Sequence, residues 1–243
     1  MLKEFFQAFL ENKSAIDDMK DNFSKMMKIS ESMFEKTSVL MFEGGNMQEV
    51  HEYIFPNDKE LNKLEQAIRR EVITHLALSG NKELSTMLIF MSVVKDAERI
   101  GDYIKNCFEI YEDGGIMKKS DWSKKLWEVR NSILPLFDKV NFVFNENKYK
   151  KTASLIKKVI PLERTCNEYA RELIRQGDKT AESAKLVCTS RYFKRITSHL
   201  MNILTSLVMP LDKLDYFDED AVANFKNNVE QLPEEEPLAD ISE

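Results

Sequence analysis

Chain breakers are scarce in this sequence, and they fall in clusters. Across 243 residues there are seven glycines and six prolines. Six of the glycines mark four punctuation points: Glu43-Gly44-Gly45-Asn46, Ser79-Gly80-Asn81, Asp113-Gly114-Gly115 and Gln176-Gly177-Asp178. Between these points apolar residues recur at three- and four-residue steps, the period of a helix with one buried face. In the first segment Phe5, Phe9, Ile16, Met19, Phe23, Met26, Met27, Met33 and Phe34 follow this rule from near Leu2 to about Phe42. The Met-rich face reads as core. The spacing predicts a short helix over 47–55 and a second that opens at Pro56-Asn57-Asp58 and runs to about Leu78. A third covers about Lys82 to Glu112. The layout then repeats: 121–144 with a break or kink at Pro135, 149–175 with Pro161 inside, and 180–207, ended by Pro210. The fold class is all-α, two tandem three-helix bundles in an elongated helical assembly. The expected division is 1–115, 116–220 and an acidic, disordered tail 221–243.

Composition narrows the function. The net charge of −6 argues against non-specific nucleic-acid binding, which needs a basic footprint. Cys107, Cys166 and Cys188 form no CxxC pair and sit in helical patterns, so they read as buried reduced thiols of a cytoplasmic protein. The first residues lack the long apolar region of a signal peptide, and no run approaches the ~18 apolar residues of a membrane span.

One helix breaks its own pattern. In Lys95-Asp96-Ala97-Glu98-Arg99-Ile100-Gly101-Asp102, Glu98 and Asp102 stand four residues apart and share a face. Leu84, Met87 and Met91 lie on that face, within about 40° of it at 3.6 residues per turn. An apolar stripe thus turns acidic midway, and a buried carboxylate requires a proton, a cation or hydrogen bonds. Asp96 points about 160° away from Glu98 by the same count and reads as solvated. On the preceding helix Asp58, Asn62 and Glu65 share a stripe with Ile54, Val72 and Leu76. Antiparallel packing through Ser79-Gly80-Asn81 brings Glu65 near the height of Glu98, and Asp58 near Asp102 and Asn106. The purely structural account of these carboxylates is an ion-pair network with Arg99, Arg69 or Arg70. Asp58 alone also suits a helix N-terminus.

The second half repeats the segment without its acids. Arg191-Tyr-Phe-Lys-Arg-Ile-Thr-Ser-His-Leu-Met-Asn-Ile aligns without a gap 96 positions after Lys95-Asp-Ala-Glu-Arg-Ile-Gly-Asp-Tyr-Ile-Lys-Asn-Cys. Arg99, Ile100 and Asn106 recur as Arg195, Ile196 and Asn202, whereas Glu98 becomes Lys194 and Asp102 becomes Ser198. His199 falls at the place of Tyr103 and reads as packing or surface. Glu163 is the acidic residue left on the partner helix, and Lys194 suits an internal counter-charge.

Glu-Arg-Ile-Gly-Asp followed by Asn106, after a helix with Asp58 and Glu65, resembles the PhoU family of phosphate-uptake regulators. The resemblance is sharpest at 96–109. It implies two repeats of a three-helix bundle, each with an E-x-x-x-D motif for a multinuclear metal cluster. Carried onto this chain, it makes Glu98 and Asp102 metal ligands, with Asp58 and Glu65 contributing and Asn106, Glu109 and Asn62 as further candidates. The departure at Lys194 and Ser198 predicts one metal site instead of two. Oxygen-only ligands favour iron, manganese, magnesium or calcium over structural zinc. The resemblance further implies a cytoplasmic, non-enzymatic regulator of a membrane phosphate transporter or a phosphate-responsive sensor histidine kinase. It is compatible with a homodimer and with peripheral membrane association. The competing readings are a metal-free interaction bundle, or the soluble PhoU-like domain attached to some sodium–phosphate cotransporters. A di-iron oxidase needs Glu-x-x-His on two helices, and none occurs: Glu71 and His75 are four apart. No glycine-rich phosphate loop or nucleophile–base grouping points to catalysis.

Overall fold

The computed structural model describes residues 15–80 and 83–214, and these are all helix, turn and connection. The expected helix start at Leu2, with Phe5 and Phe9, lies outside the described residues, as does the acidic tail. Seven α-helices are described: α1 Ala15–Glu43, α2 Met47–Ser79, α3 Leu84–Gly114, α4 Asp121–Ile133, α5 Leu136–Glu146, α6 Tyr149–Gln176 and α7 Ala181–Ser206. A 3₁₀ turn follows at Leu211–Lys213. Counting α4 and α5 as one helix broken at Pro135 gives the expected six.

Local chemistry sets the ends. Asn46 caps α2 by accepting hydrogen bonds from the amides of Gln48 and Glu49, and Ser120 caps α4 in a reciprocal box with Ser123. The turn after α3 takes Gly115 at φ 64°, a left-handed backbone that suits glycine. One expectation fails at Pro56. It does not open a new helix, because α2 runs unbroken through it. The proline removes the amide that would donate to the Glu52 carbonyl, and beside this gap the side-chain amide of Asn57 donates to the Tyr53 carbonyl at 2.8 Å. Ile54 and Leu61 on either side are buried, so packing keeps the helix continuous across the defect.

Helices α1, α2 and α3 pack on one another, and α4 to α7 do the same in the second half. The halves share one core, in which Phe34 of α1 meets Phe137 of α5 (centroids 5.6 Å apart) and Phe193 of α7 (5.2 Å). The expected methionine face is there: Met19, Met26, Met27, Met33 and Met41 are all buried.

The principal contact between halves is α3 on α7. These helices cross antiparallel, with Asp96 beside His199 and Asn202, and Gly114 beside Lys185. The contact is reciprocal. Asp96 meets His199, the counterpart of Tyr103, while Tyr103 meets Tyr192, the counterpart of Asp96, with ring centroids 5.9 Å apart. Such exchange is the signature of a two-fold interface, here built within one chain from two similar repeats.

Two expectations are corrected by this packing. Asp96 is not solvated; it is buried, and its Oδ1 lies 2.6 Å from His199 Nδ1 and accepts from Asn202 at 3.0 Å. Its direction, away from Glu98, was read correctly, but the second repeat covers that direction. Cys188 is exposed, while Cys107 and Cys166 are buried as expected.

Candidate metal centre

The acidic stripe of α3 faces α2 along a line of unusually close approach. A Cβ at Gly101 would lie 2.3 Å from Cδ1 of Leu61, so α2 sits against the backbone of α3 between Glu98 and Asp102. Glycine at this position sets how near the carboxylates of the two helices can come.

Lys105 joins the two helices. Its Nζ lies 2.9 Å from both carboxylate oxygens of Asp58 on α2 and 3.6 Å from Oδ1 of Asp102 on α3. Glu65 is buried and pairs with Arg69 one turn on, at 2.8 Å. This matches the ion-pair account for Arg69; Arg70 is exposed and takes no part. Glu98 is half-buried and carries no ion pair among the described residues. Its carboxyl is pushed up to about 7. Burial is the largest cause, followed by the negative charges of Asp102 and Glu65; Arg99 opposes this, and Asp58 adds to it. Glu98 therefore senses the charges of the other three carboxylates, which together with burial favour its protonated form.

The remaining candidates are less engaged. Asn62 spends its side-chain amide on the Asp58 carbonyl of its own helix, at 3.0 Å. Asn106 is half-buried one turn beyond Asp102, and Glu109 is exposed on the Lys105 side. Lys105 keeps its proton more firmly than an ordinary lysine: burial lowers its proton affinity, but the Asp58 hydrogen bond and the charges of Asp58, Asp102 and Glu109 outweigh it. Sequence reasoning passed over this lysine. The signal was present, because residue 105 lies two turns from Glu98 and within about 20° of its direction. Leu84, placed by the same count on the buried stripe, is 39% exposed at the end of the bundle.

In the second repeat one glutamate is engaged through a single oxygen. Ser198 Oγ donates to Glu163 Oε1 at 2.8 Å, and Lys194 Nζ lies 3.6 Å from the same oxygen. The two residues that replace Glu98 and Asp102 thus both turn to the acid of α6.

The donor set of the first repeat fits a hard cation in its chemistry: four carboxylates from two helices, with a proton on the one that lacks a cationic partner. In the conformation described, Asp58 and Asp102 turn to Lys105 and Glu65 turns to Arg69. Among the described residues no three acidic, histidine or cysteine side chains converge to hold a metal ion. Removing Lys105 from between Asp58 and Asp102 is the rearrangement that such binding requires.

A helical bundle built from two repeats, with carboxylates on the facing helices of one repeat, is the class of protein that these observations define. Residues 23–110, which include Asp58, Glu65, Glu98 and Asp102, match the family model of the PhoU domain. That stretch of the chain is similar to a PhoU domain. Its fold is similar to that of PhoU from Pseudomonas aeruginosa, with a TM-score of 0.69 and 15% identity over 80% of this chain and 95% of that one. It is equally similar to the phosphate transport system regulatory protein PhoU from Streptococcus pneumoniae, at 0.69 and 17%, over 83% of this chain and 96% of that one. A comparison with curated proteins gives no match. Among the described residues no helix is long and apolar enough to cross a membrane.

Proposed function

We propose that this chain is a non-enzymatic, cytoplasmic regulator of phosphate uptake and phosphate signalling, which binds a metal ion in its first repeat. It acts on a membrane phosphate transporter, a phosphate-sensing histidine kinase, or both, as a peripheral protein. The observation that carries the reading is the coincidence of the PhoU domain with the mutually repelling carboxylates of Asp58, Glu65, Glu98 and Asp102. A divalent ion or iron relieves that repulsion; manganese and magnesium suit the oxygen ligands equally well. Metal held there would fix the faces of α2 and α3 and so define the surface offered to a partner. A homodimer is part of the family reading.

A second reading has an observation in its favour. Lys105 and Arg69 already neutralise three of the four carboxylates. On that account the bundle is a metal-free interaction scaffold, either free-standing or attached to a sodium–phosphate cotransporter.

Plasma mass spectrometry on protein purified without a metal-affinity column separates the two. We expect stoichiometric iron, manganese or magnesium in the wild type and its loss in Glu98→Ala/Asp102→Ala. A wild type that carries no metal, and takes up none when supplied, leaves the scaffold reading. The regulatory assignment itself is tested by phosphate uptake in cells without the protein, where a change in uptake or in its response to phosphate is expected.

A further inference from the structure

We propose that Lys105 is a tethered cation that competes with the metal ion for Asp58 and Asp102, and so sets how readily the first-repeat site loads. This rests on the metal-binding reading above and adds to it a residue that gates the site. Three observations support it.

The lysine occupies the ligands. Its Nζ lies 2.9 Å from each oxygen of Asp58 and 3.6 Å from Asp102, and it is the cation shared by an α2 and an α3 carboxylate. A metal and an ammonium cannot both take those lone pairs. Each therefore weakens the other, and the weakening is reciprocal.

The lysine also has somewhere to go. Its side chain is 23% exposed, on a flexible four-carbon stem. Glu109, exposed one turn further along α3, already contributes to holding the Lys105 proton. Pairs four apart on a helix meet readily, so Glu109 is a second anionic partner, away from Asp58.

The third observation is the contrast with the second repeat. The residue equivalent to Lys105 there is Met201, which is buried. That repeat instead places Lys194 directly at the acid position, against Glu163. Each repeat thus sends a lysine from its last helix to a carboxylate of the helix before it. In the second repeat the lysine replaces an acid of the motif, while in the first it coexists with all of them. A lysine that leaves the acid set intact can be displaced, whereas one that has replaced an acid cannot be exchanged for a ligand.

Calorimetric titration of the chelator-stripped full chain with Mn²⁺ tests the proposal. Lys105→Met and Lys105→Gln should bind Mn²⁺ about tenfold or more tightly than the wild type, in the range usual for coupled sites, at unchanged stoichiometry. Lys105→Arg, which keeps the cation, should stay close to wild type. Thermal melts with and without Mn²⁺ provide a second readout: the metal-induced rise should be larger in the two neutral variants. If the neutral variants bind Mn²⁺ no tighter than wild type while Asp102→Asn abolishes binding, the metal site stands and the competition is refuted. Weaker binding by the neutral variants refutes it as well. If neither wild type nor the variants take up Mn²⁺, the metal reading fails and this inference fails with it.

Discussion

Where α3 carries Glu98 and Asp102, α7 carries Lys194 and Ser198, and the two nodes solve the same packing problem differently. In both, a polar patch sits on a helix face that must pack against the helix before it. In the second repeat the charge is matched: Glu163 accepts from Ser198 at 2.8 Å and has Lys194 at 3.6 Å. In the first, Lys105 and Arg69 serve three of four carboxylates, and Glu98 is left to hold a proton. A region selected only for packing has no reason to retain such an excess of like charge, since structural acids are ordinarily matched. The second repeat shows that this fold can dispense with the excess. The surplus in the first is what the proposed metal site would account for, and the contrast between repeats supports that reading more than the acidic motif alone does.

Restoring the acids to the second repeat is the hardest test of this contrast. Lys194→Glu/Ser198→Asp would set three carboxylates together around Glu163 and remove their lysine. We expect a loss of about 2 kcal/mol or more, the scale of breaking a partly buried ion pair. Urea unfolding in chelator reads it. Mn²⁺ should recover part of the loss if carboxylates in this frame suffice to bind metal. Unchanged stability would mean that neutrality is not what the second node supplies.

A smaller effect is expected at the helix contact. Gly101 and Thr197 are equivalent positions with opposite demands. A side chain at 101 collides with Leu61, whereas Thr197 is fully buried and its hydroxyl donates to the Phe193 carbonyl. Gly101→Thr should therefore destabilise by about 1–3 kcal/mol, as overpacking does, and Leu61→Ala should relieve part of that loss. Thr197→Gly should cost about 0.3 kcal/mol from helix propensity, plus the small cavity left behind. Urea unfolding of the four variants sharpens the comparison. If Gly101→Thr is neutral, the close approach of α2 and α3 does not set the spacing of the carboxylates.

What the sequence disclosed and withheld follows from the range of the interactions. Helix ends at Gly44, Gly80, Gly115 and Gly177 were legible because breakers act locally. The repeat was legible because Arg195, Ile196 and Asn202 kept the frame while the acids changed. The juxtaposition of Asp58 with α3 followed from counting along two antiparallel helices. Pro56 misled, because tertiary burial of Ile54 and Leu61 outweighs a missing amide. Asp96 misled for a related reason. A helical wheel reports where a side chain points, but not what another part of the chain places there; His199 and Asn202 come from more than a hundred residues away. Lys105 was within reach of the method and went unread because a lysine on an acidic stripe looks like solvated charge.

The smallest effect expected is that of the proton on Glu98. Folding raises this carboxyl from 4.5 to about 7, through burial first and its acidic neighbours second. Between those values the folded state binds the proton more strongly than the unfolded chain does. Stability of the metal-free protein from this group is thus fully present below pH 4.5 and is lost as pH rises through about 7. Glu98→Gln mimics the protonated form. It should match wild type in acid, exceed it above pH 7, and flatten the slope between. The difference should be about 1 kcal/mol, since the half-exposed site is screened by solvent. Mn²⁺ should reverse the order, because an ion that favours the ionised carboxylate stabilises the wild type at the pH where the proton no longer does. Urea unfolding across this range, in chelator and in Mn²⁺, gives both curves. A wild type and Glu98→Gln that run parallel at every pH would show that Glu98 is already satisfied. The first node's charge would then be as well matched as the second's.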